Sequence, residues 1–514
     1  MVIRQKSNKR QEFFFLGLII LFSLVLRTYQ LTKVPSGFFC DEAAIGYNAY
    51  KLLTTGRDEY GLSWPVFFRS FGDYRTPVPI YSNLVTVALF GLSEFAVRLA
   101  PALYGVGTTI LLYFVGKKLS NKFVGFTAAM LFAINPWALQ VNRWGAEYSP
   151  YLFFITLGLL LYILAFEKPK LLILSFLTFG ITLYTYQPSW VAVPPFLLGA
   201  LLLWLVKKKG SKKILLVIIG LCVFYIICRP IISGIKSELL LSRWHQSFDD
   251  KTNVTIYKKI FKIKDLYIDH FRSSFLFKTG ENGIPGRFIT RNIVRGMGEF
   301  YYYQLFLLII GIIVAFHKRK GWLLILLLLL LYPLGSVLSF QGPNVTRSEL
   351  GIIPITLLSA LGFSEIFSLF INNRLSYTIL MSTCLIFFVF SLNYYLYLYY
   401  VDYPKYSSDY WGWQYGPKDI INYFMSVEDK YDEMYYTGEA NAPQIFLPFY
   451  TIDGKLGCKK CALGDIKQLD AHKKQLFVAN PGIIKQWGKG FQVVREFVYP
   501  NGDIAFQAVI YHNK

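Results

Sequence analysis

Two adjacent carboxylates, Asp41 and Glu42, stand in "PSGFFCDEAAIGYNAYKLL" (35–53), just beyond a strongly apolar stretch. A carboxylate within hydrogen-bond reach of an alcohol takes its proton as the oxygen attacks, so an acidic pair is candidate general-base machinery. Arginines suited to an anionic substrate follow. "GDYRTPVPIY" (72–81) carries Arg75 before a Pro-rich turn, "INPWALQVNRWGAEYSPY" (134–151) carries Arg143 and Glu147, and "QGPNVTRSEL" (341–350) carries Arg347. A guanidinium offers phosphate oxygens a bidentate fork.

Plainer roles compete for each of these residues. Ile45, Ala49, Leu52 and Leu53 recur at helical spacing, which predicts a short amphipathic helix on the membrane surface. Asp41 at its start would be an N-cap, and Glu42 in the first turn would suit the helix dipole. Arg75 and Arg347 would snorkel to lipid headgroups, Arg143 and Glu147 would form an i,i+4 pair, and Tyr47 and Tyr50 would join an interfacial aromatic belt. Taken together the residues argue for more. Three carboxylates and two guanidiniums on one side of a bilayer place charge where it is costly and usually functional.

The elements that must position them are membrane spans. The chain has 514 residues, 54% hydrophobic and 18% aromatic, with a mean hydropathy of +0.40, a composition that excludes an ordinary soluble protein. About 20 apolar residues cross the hydrocarbon, and that ruler predicts about eleven spans, near 13–31, 96–116, 123–141, 149–167, 171–188, 190–206, 214–231, 301–316, 322–340, 350–371 and 376–400. The net charge of +22 reads as topology rather than nucleic-acid binding. Arg4, Lys6, Lys9 and Arg10, then Lys117, Lys118 and Lys122, Lys168 and Lys170, Lys207–Lys209 with Lys212 and Lys213, Lys318–Lys320 and Arg374 fall on one side if the N-terminus is cytoplasmic. The first loop (32–95), a long loop (232–300) and the tail (401–514) then lie outside. The first span reads as a retained anchor, since no small-residue cleavage site follows it. Residues 1–400 are read as one transmembrane domain. The tail, with "NG" at 501–502 and alternating stretches such as "KQLFVAN", is read as a small extracytoplasmic α/β domain. The fold class is therefore mainly α and polytopic, with interfacial helices in the first outer loop.

The order of these motifs resembles a known family. Phe38, Asp41, Glu42 and Ala43, then Arg75 and Pro77, then "GLSEFAVRLAPALYG" from Gly91 to Gly105 are similar to the GT-C membrane glycosyltransferases, in particular the protein O-mannosyltransferase and aminoarabinose-transferase branch. The resemblance is strongest over 20–200, reaches Arg143 and Glu147, and weakens into "FLFKTGENG" and "RGMGEFYY" of the long loop. It departs where the family has Lys-Pro-Pro and this chain has Arg75-Thr76-Pro77, and where Glu147 replaces a frequent Asp.

The resemblance implies transfer of a sugar from a polyprenyl-phosphate carrier to an acceptor hydroxyl of a protein, lipid or glycan. It would take place at the outer face of a bacterial-type plasma membrane. Asp41 is then the expected base, with Glu42 and Glu147 assisting, and Arg75, Arg143 and Arg347 would meet the lipid phosphate. Tyr47 could stack on sugar, while His270, with Arg272, Arg287, Arg291 and Arg295, would belong to a lid or a phosphate contact. No cofactor is expected beyond an optional divalent cation, and no metal is assigned. Cys458 and Cys461, in "GCKKCALGD", have zinc-knuckle spacing without a second ligand pair, so a local disulfide or free thiols are expected. The rival class is a transporter or flippase of lipid-linked sugars. It predicts polar residues at mid-membrane and repeated halves.

Overall fold

The structure is a computed structural model describing residues 9–207, 211–236, 256–284, 286–319, 321–339 and 342–512. Arg4, Lys6, Lys208, Lys209, Lys320 and the stretch 237–255 of the long loop lie outside the described residues. The chain is mainly helical. Among the described residues, seven helices are long and apolar enough to cross a membrane: Lys9–Thr28, Glu94–Leu119, Tyr148–Ala165, Ser189–Val206, Ile214–Lys236, Glu349–Phe370 and Arg374–Ser407. Five apolar helices are shorter, Pro77–Phe90, Lys122–Ile134, Leu171–Thr182, Tyr303–Lys318 and Trp322–Val337. Each of the eleven expected spans coincides with one of these helices. Pro77–Phe90 is the Pro-led helix expected to follow Arg75 in the first outer loop.

Through the site-bearing half the elements are α1 (Lys9–Thr28), α2 (Cys40–Thr55), the hairpin β1 (Phe68–Ser70) and β2 (Asp73–Arg75), α3 (Pro77–Phe90), α4 (Glu94–Leu119), α5 (Lys122–Ile134), α6 (Pro136–Val141) and α7 (Tyr148–Ala165). Local chemistry sets their ends. Ser93 caps α4 by accepting from the Ala96 amide, and Asn121 caps α5 by accepting from Val124. The expected span 123–141 is broken, because Pro136 has no amide to continue α5 and Asn135 instead caps α6. The carbonyls orphaned at the break are met from outside. Arg27, fully buried, donates to Phe132 O (3.3 Å) and Ala133 O (3.2 Å), and the Tyr301 hydroxyl donates to Ile134 O (2.8 Å).

The helices Tyr303–Lys318 and Ile352–Phe370 approach closely enough that a Cβ at Gly311 would lie 1.9 Å from Leu358 O, and one at Gly362 2.0 Å from Leu307 O. Small residues are what such close helix packing requires in a bilayer.

The tail forms a five-stranded sheet of order β4-β3-β5-β7-β6, with β3 (Glu433–Tyr436), β4 (Cys461–Leu463), β5 (Gln475–Ala479), β6 (Phe491–Val498) and β7 (Ile504–Tyr511). β3 runs parallel to β4 and β5, and β7 antiparallel to β5 and β6. "NG" at 501–502 makes the β6–β7 turn, where Gly502 takes φ +94°. Cys458 and Cys461 are disulfide-bonded.

Candidate active site

The first turn of α2 separates the two acids. Phe39, not Asp41, is the N-cap; Glu42 sits three residues on and its carboxylate accepts from the Phe39 amide at 3.1 Å. The expected capping role thus belongs to Glu42. That carboxylate is buried at 2% exposure, takes a fork from Arg98 of α4 at 2.9 Å to each oxygen, and accepts from the Gly145 amide at 2.8 Å. Arg98 in turn donates to the carbonyls of Leu31, Pro35 and Gly37. Glu42 is a fully occupied joint between α2, α4 and the 142–147 turn. A Cβ at Gly145 would lie 2.6 Å from Val97 and 3.2 Å from Glu42, so glycine is required there.

Asp41 points the other way and remains 30% exposed. The Arg75 guanidinium, at the end of β2, contacts Asp41 Oδ1 at 2.5 Å, Glu147 Oε1 at 2.7 Å and Ser70 Oγ at 3.0 Å. Sequence positions 41, 75 and 147 therefore converge, as the sequence predicts. Arg75 and Glu147 are both nearly buried, which leaves Asp41 as the carboxylate of this triad that faces outward. Burial opposes the charge on Arg75, but Asp41 and Glu147 more than compensate, and its guanidinium is held above its ordinary range. The Cys40 thiol donates to Asp41 Oδ1 at 3.6 Å. Burial and the neighbouring Asp41 push the thiol well above its ordinary range, so Cys40 stays a neutral donor.

Glu147 leads to a second group of residues. The ring of Tyr186 lies 5.3 Å from that of Tyr148, which follows Glu147. Burial pushes the Tyr186 hydroxyl up, with Glu349 and Glu147 adding to the shift and Arg347 opposing it. Arg347 and Glu349 thus share one environment with Glu147. The turn before them is built by Asn344, whose Oδ1 accepts from the Thr346 and Arg347 amides, 3.1 and 3.0 Å. It is anchored from the long loop. Glu281, of the "KTGENG" stretch, accepts from Asn344 Nδ2 and the Val345 amide, both at 3.1 Å, and pairs with Arg287 at 3.6 Å.

Three expected site residues lie elsewhere. Arg143 is not the i,i+4 partner of Glu147, because α6 ends at Val141. It is buried and donates to the carbonyls of Leu26 (3.1 Å), Tyr29 (2.8 Å) and Val34 (2.7 Å), with Tyr399 and Tyr400 over its face. Tyr47 donates to Asp453 of the tail, tying α2 to the segment after Phe446–Thr451. His270 is fully buried against Phe275 and Tyr332, with Nδ1 2.7 Å from Leu266 O, and burial lowers its pKa to about 4. Among the loop arginines, Arg291 reaches α2's entry, 4.0 Å over the Phe39 ring, and donates to Trp411 O.

Two carboxyl residues were not singled out from the sequence. Glu59, exchanging hydrogen bonds with Asn48, is pushed up by burial and feels the charge of Arg75; Glu349 is fully buried. Neither sits in a motif by spacing alone. Arg98 was present in "SEFAVRL", and an arginine at the start of an apolar span is itself a signal of a buried anionic partner. Among the described residues no three His, Cys, Asp or Glu side chains come together to hold a metal ion. The Arg75 guanidinium fills the space between Asp41 and Glu147 that a divalent cation would take, so a cation does not fit there in this state.

This architecture is GT-C-like, as the sequence resemblance predicts. The profile of the family "Dolichyl-phosphate-mannose-protein mannosyltransferase" matches residues 74–233. The structure is similar over 98% of both chains to ArnT from Cupriavidus metallidurans bound to undecaprenyl phosphate (TM-score 0.56, 11% identity). It also resembles the oligosaccharyltransferase AglB from Archaeoglobus fulgidus, in complex with an inhibitory peptide and a dolichol-phosphate (TM-score 0.52, 14% identity, 81% of this chain and 58% of that one). At these identities the likeness is one of fold. A Bacillus subtilis (strain 168) protein, YkcB, named only provisionally as a mannosyltransferase, is 29% identical over 24% of this chain and 18% of its own length. An Aquifex aeolicus (strain VF5) protein is 28% identical over 32% of this chain and 36% of its own. The chain thus spans well under half the length of either curated relative.

Proposed function

We propose that the chain is an inverting glycosyltransferase that moves a sugar from a polyprenyl-phosphate donor to an acceptor hydroxyl at the outer face of the membrane. The observation that carries this reading is the outward-facing Asp41 carboxylate, held at 2.5 Å by an arginine that also holds Glu147. Asp41 takes the acceptor's proton as its oxygen bonds to C1, and the C1–O bond to the phosphate breaks in the same displacement. The departing phosphate is already a competent anion, so cations matter more than a general acid. Arg347 supplies one. Arg75 supplies another, each of its three nitrogens already in contact with Ser70, Glu147 or Asp41 in the resting state. The family match over 74–233 and the fold shared with lipid-phosphate-bound ArnT support the donor class.

The test is purified protein with labelled polyprenyl-phosphate sugars, wild type beside Asp41→Asn. Loss of transfer by roughly 100- to 10,000-fold is expected for a positioned general base. Equal transfer by both would remove Asp41 from that role. Absence of turnover with every donor, combined with movement of the donor across vesicles, would favour a transporter instead.

A further inference from the structure

Glu349 is fully buried at 0% exposure, and neither of its carboxyl oxygens has a hydrogen-bond partner among the described residues. Buried polar atoms in folded proteins are nearly always bonded, and a carboxyl is the costliest group to leave without a partner. Its position gives the orphan a meaning. Glu349 lies two residues after Arg347, in the short helical turn Glu349–Gly351 that meets the start of α7. It acts electrostatically on Tyr148, Tyr151 and Tyr186, and Glu147 acts on it. Within one neighbourhood, then, are a carboxyl lacking donors, Glu147, which Arg75 holds, and tyrosine rings spaced 5.3 Å (Tyr148–Tyr186) and 6.4 Å (Tyr151–Tyr186) apart. Carboxyl groups with aromatic faces are what a polyhydroxylated ring requires, since each hydroxyl both donates and accepts and the C–H face packs on aromatic carbon.

We infer that Glu349 is a sugar-binding residue of the donor site, its carboxyl taking the hydrogen bonds of donor-sugar hydroxyls while Arg347 takes the phosphate. The inference rests on the transferase reading above and goes beyond it by assigning the sugar end of the donor to one buried side chain. Removing Glu349 should act on stability and on binding in opposite senses, which a structural carboxyl would not do.

The experiment compares wild type, Glu349→Gln and Glu349→Leu in detergent or nanodiscs. It measures the thermal midpoint without ligand and the displacement of labelled bare polyprenyl phosphate by unlabelled polyprenyl phosphate and by a panel of polyprenyl-phosphate hexoses and pentoses. Glu349→Leu is expected to keep or raise the thermal midpoint, because it removes an unpartnered buried carboxyl. It is expected to weaken the sugar-bearing donor by about tenfold or more, the cost of leaving buried sugar hydroxyls without a hydrogen-bond partner, and to leave bare polyprenyl phosphate within about twofold. Glu349→Gln, which keeps an acceptor, should recover part of the loss. A lowered midpoint with both ligands weakened alike, or unchanged donor binding in both variants, overturns the assignment. Because binding is read without turnover, a wild-type protein that binds donor but transfers nothing would fail the transferase reading while the same contrast still decides Glu349.

Discussion

At the scale of single residues, Asp41 and Glu42 are adjacent in sequence and opposite in role. Glu42 is spent on Arg98, Gly145 and Phe39, whereas Asp41 keeps an exposed edge. Their substitutions should therefore fail differently. Glu42→Ala strands the Arg98 charge in the interior and is expected to cost about 3–5 kcal/mol, read as a lowered thermal midpoint or loss of folded protein. Asp41→Asn should leave the midpoint nearly unchanged while transfer is lost. His270 gives a pH prediction. Its folded pKa, depressed to about 4 from 6.5, means that the unfolded chain binds the proton first, so the stabilising contribution is present above pH 6.5 and is lost as the pH falls towards 4. At roughly 1.4 kcal/mol per pKa unit the loss is about 3 kcal/mol. Unfolding measured from pH 7 to 4 should show the loss in wild type and a flatter profile in His270→Phe.

At the scale of elements, the site depends on α2 being gripped from two sides. Gly46 faces α4 and the tail, and a Cβ there would lie 2.3 Å from Val97 and 3.0 Å from Phe449. Gly46→Leu should push α2 off both, with a stability cost of about 1–3 kcal/mol and a loss of transfer, measured together on the folded fraction. Tyr47 and Lys51 reinforce the same grip through Asp453, the latter at 3.5 Å. Away from α2, Glu281 of the long loop holds the Asn344 turn that leads into Arg347. Glu281→Ala leaves the Val345 amide and Asn344 amide without their acceptor, at about 1–3 kcal/mol. Donor KM should rise about tenfold while the rate at saturating donor changes less. An unchanged KM would separate Arg347 from the donor.

At the scale of the whole molecule, topology is the testable quantity. In a cysteine-free background, Leu62→Cys in the first loop, 52% exposed, should react with an impermeant maleimide added from outside. Lys118→Cys, at the far end of α4 with its side chain 37% exposed, should react only after the membrane is opened. The reverse pattern would invert the proposed placement of Asp41. The tail would then be inside as well, where its Cys458–Cys461 disulfide would meet a reducing compartment.

The spans, the β6–β7 turn and the strands of the tail were legible because local periodicity, turn chemistry and alternation act over a few residues, whereas the break at Asn135-Pro136 falls inside a stretch whose apolar run reads as one continuous span. The pairing of Asp41 with Arg75 and Glu147 was legible as a convergence, since all three fall at one end of apolar spans. Which arginine served which acid was not. Arg98 neutralises Glu42, Arg143 satisfies three backbone carbonyls instead of pairing with Glu147, and Glu349 is a buried carboxyl in a segment with no spacing to announce it. Side-chain partners more than fifty positions apart are chosen by how helices pack and by which carbonyls their breaks leave open, and only the tertiary structure decides that.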